Sequence, residues 1–159
     1  MLKYLNFSIA LCFFNIAWAG PYDPIVSRAW VGESVPGQTT ATLQLNVTTV
    51  KPVTLLTVSS PAAEAIEIHS LTKHKGVLQP LVVNNLHLRE HSTVIFGSKG
   101  LFLMMTGIKQ QLNTGDKIPV SLVVEFADRQ SKTISAVAEV KKMELSYKHY
   151  GPNEVYDHR

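Results

Sequence analysis

The chain has 159 residues, with 15 basic and 12 acidic side chains, a formal net charge of +3, and 45% apolar against 17% charged residues. That balance describes a globular chain with material for one core, and it excludes an intrinsically disordered segment. No basic cluster follows a strand or helix pattern, so the charge offers no footprint for nucleic acid.

The first element is an apolar stretch from Tyr4 to Trp18 behind Lys3, ending in Ala17-Trp18-Ala19. A short apolar run with a basic start and a small-residue exit is a secretory signal peptide, with cleavage expected after Ala19. The run is shorter than the roughly 18 residues that span a bilayer, and Asn6, Ser8 and Asn15 interrupt it. Cys12, the single cysteine, is preceded by Leu11 and followed by Phe13-Phe14, a poor context for lipoprotein processing. Residues 20–159 therefore hold no thiol, which removes disulfides, thiolate ligands and thiol catalysis although export would permit them. A periplasmic or secreted location follows.

From Gly20 onward short β-branched and apolar runs alternate with Gly, Pro, Asn and Ser, the pattern of an all-β sandwich of about eight or nine strands. The expected strands are 25–31, 41–47, 53–59, 65–71, 77–83, 93–96, 101–108, 118–127 and 132–140. Lys51-Pro52, Asn84-Asn85 and Asp128-Arg129-Gln130-Ser131 mark turns between them. Ser60-Pro61-Ala62-Ala63-Glu64 suits one helical turn, with Ser60 as cap and Pro61 in the first position. Beyond Lys141 the alternation stops. The expected organisation is a signal peptide over 1–19, a sandwich domain over 20–142, and a mobile tail over 143–159.

Several stretches in order carry a family likeness: Ala29-Trp30, Val58-Ser59-Ser60-Pro61-Ala62-Ala63, Ile66-Glu67-Ile68-His69, Gly100 to Ile108, and Asn113 to Val120. Across about 26–140 the chain resembles the periplasmic copper chaperones of the PCuAC family. The resemblance implies a cupredoxin-like or immunoglobulin-like Greek-key β-sandwich and a copper carrier, commonly one that serves cytochrome oxidase assembly. The family's ligand motif is a His, ten residues, a Met, twenty-one residues, then His-x-Met. Anchored on His69 it falls on Pro80, Phe102 and Met104, so the resemblance implies a degenerate metal site made of His69 and Met104. Cu(I) suits those two donors, because it is soft and is held well by imidazole and thioether.

Strand parity puts Phe102 and Met104 on one face and Met105 on the other, where Met105 is expected to pack in the core. His69 has the opposite parity to Ile66 and Ile68 and shares a face with Glu67, outside the core. Further donors could come from His74, His87, His91, Met143, His149 and His158, none of which stands in a distinctive motif. His87 and His91 flank Arg89, and His74 lies between Lys73 and Lys75, charges that oppose a cation. No nucleophile elbow, zincin helix or phosphate loop is present, so the chain reads as a binding protein and not an enzyme. A metal-free sandwich that serves as a protein-interaction module is the alternative to a copper carrier.

Overall fold

The computed structural model describes Gly20, residues 22–74, 76–97 and 100–143. The expected signal peptide over 1–19, and all of the expected tail over 143–159 except Met143, lie outside the described residues. Within them the chain is all β, an immunoglobulin-like, cupredoxin-like Greek-key sandwich without helices.

The strands are β1 (Ile25–Gly32), β2 (Thr40–Thr49), β3 (Val53–Ser59), β4 (Ala65–His74), β5 (Val77–Val82), β6 (Leu86–Leu88), β7 (Ser92–Phe96), β8 (Leu101–Thr106), β9 (Lys117–Phe126) and β10 (Ser131–Lys141). Nine match the sequence expectation. The tenth, β6, is only three residues long and pairs β3 through Val53–Leu88 and Leu55–Leu86, too short for periodicity to reveal. The expected helical turn at Ser60 is a tight turn instead. The Ala62 N–H donates to Ser60 Oγ at 3.3 Å and the Ala63 N–H to the Ser60 carbonyl at 3.3 Å, after which β4 begins and no helix propagates.

Hydrogen bonding runs in the order β5-β4-β8-β2-β1-β10-β9-β3-β6, with β7 on β2 and a Val58–Ile66 bridge that joins β3 back to β4. All pairs are antiparallel except β1 with β10. Alternate residues of the long strands point inward: Leu43, Leu45 and Val47 of β2, Leu103 and Met105 of β8, Val120, Leu122 and Val124 of β9, and Val53 and Leu55 of β3 are all buried. Each such side chain contributes about 1.5–3 kcal/mol when it leaves water, which lets the domain hold without a disulfide.

Strand β1 contains the irregularity that matters most for the site. Ser27 pairs Asn46 and Trp30 pairs Gln44, so β1 uses one residue more than β2 over this stretch, with Arg28 at φ 52°. This β-bulge reverses the side-chain parity of the strand. Past it, Val31 enters the core and Trp30 turns to the outer face.

Candidate metal centre

The outer face of β4, β8 and β5 collects the positions that the sequence motif singles out. Antiparallel pairing sets His69 opposite Phe102 and Glu67 opposite Met104 on β8, while His69 also faces Val82 and Leu71 faces Pro80 on β5. Residues two apart on a strand share a face, so His69, Pro80, Phe102 and Met104 stand on one side of three adjacent strands. Two of these four positions carry a donor atom. Met105 points the other way and is fully buried at 0% exposure, as parity predicts.

His69 departs from the expectation of a side chain outside the packed interior. It does lie on the Glu67 face, opposite the buried Ile68, yet its exposure is only 9%. The cause is lateral packing: its ring stacks on Phe102 with centroids 5.4 Å apart and planes 16° from parallel. Its Nε2 lies 3.0 Å from Glu67 Oε2, and its buried Nδ1 has no hydrogen-bond partner.

These contacts suit one tautomer. A neutral imidazole that donates Nε2–H to the Glu67 carboxylate leaves a lone pair on Nδ1, which costs less buried without a partner than an N–H does. Histidines that bind metals nearly always donate their second ring N–H to a carboxylate, carbonyl or water. The arrangement therefore fits a soft ion at Nδ1 with Glu67 as the orienting group, a role that sequence reasoning did not assign. Its position two residues before His69 on the same strand face was the available signal.

Met104, half-buried, faces Glu67 on one side and Thr42 of β2 on the other. It also lines a cleft of about 210 Å³ together with Trp30, Gly32, Glu33, Gln44 and Met143. Among the described residues no group of three or more His, Cys, Asp or Glu side chains could hold a metal ion.

The remaining candidates do not join this face. His74 ends β4 exposed and has the opposite parity to His69. His87 is exposed on β6, which pairs only β3, and His91 sits in the following turn at φ 48°, so the two do not share a strand face. His149 and His158 lie outside the described residues. Pro80 and Phe102 occupy the motif positions with a ring that offers no donor and a hydrocarbon ring stacked on His69.

A sandwich that carries a His and a Met on adjacent strands of its outer face has the fold of a PCuAC domain. The chain belongs to the LpqE-like lipoprotein family, whose model matches residues 25–138. Its fold is similar to that of the copper-bound PCuAC domain from PmoF2, with a TM-score of 0.58 at 19% identity, covering 76% of this chain and 93% of that one. It is also similar to the solution structure of CuI-DR1885 from Deinococcus radiodurans, with a TM-score of 0.58 at 23% identity, covering 79% and 82%. The apo form of DR1885 aligns with a TM-score of 0.57 at 18% identity, covering 89% and 95%. No curated protein matches the chain.

Proposed function

We propose that this chain is an extracytoplasmic copper-binding carrier that takes up Cu(I) at His69 and Met104 on the outer face of β4 and β8. The observation that carries the reading is the buried His69 Nδ1, left without a partner while Glu67 holds Nε2. Copper-bound domains of the same fold support it. So does a lipoprotein family, which agrees with the export signal expected over 1–19 even though Leu11-Cys12 is a poor acylation context.

Cu(I) is cargo here and not a resident cofactor. His69 and Met104 supply one nitrogen and one sulfur donor, a weaker set than the four of the family motif. Weak, partly open ligation favours exchange with an acceptor over storage, in keeping with delivery to a copper-receiving protein such as a cytochrome oxidase assembly partner. The buried face of Phe102 keeps water from one side of the imidazole, and Glu67 keeps the imidazole oriented.

A second reading has an observation of its own. Phe102 stacks on His69 where the motif places an imidazole, and Pro80 lacks any donor, which favours a metal-free interaction module. Competition with a chromophoric Cu(I) chelator separates the two. The carrier reading expects about one Cu(I) per chain, lost in His69→Ala and in Met104→Leu. No binding above background in the wild type, with binding created by Pro80→Met and Phe102→His together, would leave the module reading in its place.

A further inference from the structure

We propose that Met143 is a third soft donor, so that Met104 and Met143 form a two-thioether seat for Cu(I) in the cleft beside β1 and β2. The proposal rests on the carrier reading and extends the same site two strands sideways, from Met104 on β8 across β2 to the Gly32 end of β1.

The placement follows from register. Lys141, the last residue of β10, pairs Gly32, the last residue of β1. Two residues further on, the Met143 side chain folds back across the sheet and lies directly on Gly32. A Cβ added to Gly32 would stand 2.8 Å from Met143 Cγ and 3.2 Å from Met143 Sδ. Gly32 is not among the residues with left-handed φ, so its backbone does not demand glycine. The missing side chain is what gives the thioether room on the sheet surface.

Met143 is 57% exposed, and it lines the same cleft as Met104. The flexible thioether can adjust to an ion from either wall. Thr42, the β2 partner of Met104, is a short side chain on the floor of the same cleft. Glu33 adds a carboxylate at the rim, held by the Thr114 hydroxyl at 2.7 Å, which favours a cation. Lys141, whose ammonium lies 6.0 Å from the Trp30 ring centroid, works against that attraction. The balance leaves sulfur softness, and not net charge, as the basis of selection. Met143 lies past residue 138, where the family match ends, so the motif has no position for it.

Met143 thus adds one donor to a set that Pro80 and Phe102 leave two short.

The test uses the full chain labelled with ¹³C at the methionine methyls, titrated with Ag(I) as a redox-stable probe and with Cu(I) under reducing conditions. The Met104 and Met143 signals should shift together, while Met105, at 0% exposure on the inner face, should stay still. Met143→Leu should weaken Cu(I) by about tenfold or more, the scale at which lost metal-site interactions register. Gly32→Ala, which pushes the thioether off the sheet, should weaken it severalfold with an unchanged melting temperature. A Met143 signal that stays still while Met104 shifts, with Met143→Leu binding like wild type, overturns this proposal and leaves the carrier reading standing. If no methionine shifts and the wild type binds no Cu(I), both are overturned.

Discussion

The His69 imidazole and the Phe102 ring lie face to face across the β4–β8 pair, 5.4 Å apart and 16° from parallel. The stack shields one face of the imidazole and stands where the family motif has a second imidazole. It follows that His at 102 could meet His69 without moving the backbone. Phe102→His combined with Pro80→Met should tighten Cu(I) binding by at least tenfold over wild type in chelator competition. An unchanged affinity would mean that the two positions no longer converge with His69.

Glu67 acts on the site through His69. Glu67→Ala removes the acceptor of the Nε2–H, which frees the ring to rotate or to adopt the other tautomer. Loss of such a carboxylate costs about 10–100-fold in metal affinity. Isothermal titration of Cu(I) binding checks the value, and Glu67→Gln, which keeps an acceptor oxygen, should recover part of it.

Neighbouring methionines should respond in opposite ways. Met104→Leu conserves volume on a half-buried outer face, so it should cost under about 1.5 kcal/mol of stability while removing most Cu(I) binding. Met105→Ala empties a fully buried position and should cost about 2–5 kcal/mol. Denaturant melts and Cu(I) titrations of the two variants give the comparison.

Pro80 has a use that its place in the motif hides. Leu71 sends its N–H to the Gly100 carbonyl on the β8 side at 2.6 Å, so in the Leu71–Pro80 pair neither backbone points at the other. The Pro80 nitrogen therefore faces solvent at the edge of the sheet, where a donor would invite another strand. Val77, Leu78, Leu81 and Val82 are all exposed on this edge. Pro80→Thr should shift the protein toward larger species in sedimentation velocity at high concentration, compared with wild type.

Asp23 fastens the entry of β1 to β10 through Lys132. The hydrogen bond from Lys132 lowers the Asp23 pKa, burial pushes it the other way, and the Gly20 N–H lowers it again, with a net fall from the ordinary value. A depressed carboxylate stabilises the fold in full above its unfolded value of about 3.9, and that gain fades as pH drops through the lower folded value. Lys132 is partly exposed, so screening limits the gain to about 1 kcal/mol or less. Asp23→Asn should lower the melting temperature at pH 7 and have little effect near pH 2. An equal loss at both pH values would exclude the ionic contribution.

The strand pattern, the face-sharing of Phe102 with Met104 and the inward turn of Met105 were legible before any coordinates, because period-two alternation is local to each strand. The all-β class was legible for the same reason. The resemblance, which aligns residues one by one, also singled out the positions of His69 and Met104. Three features depend on strands that are distant in the chain. His69 is buried by Phe102 from β8 and not by its own neighbours, so parity alone left it outside the packed interior. Trp30 faces the Met104 cleft only because the Arg28 bulge reverses the parity of β1, and a bulge is defined by pairing with β2. Met143 lies on Gly32, at the cleft that Met104 also lines, through the β1–β10 register and the empty Cβ position of Gly32. A one-dimensional pattern records which side of a strand a residue takes; which strands lie next to each other is settled by the packing of the whole sandwich.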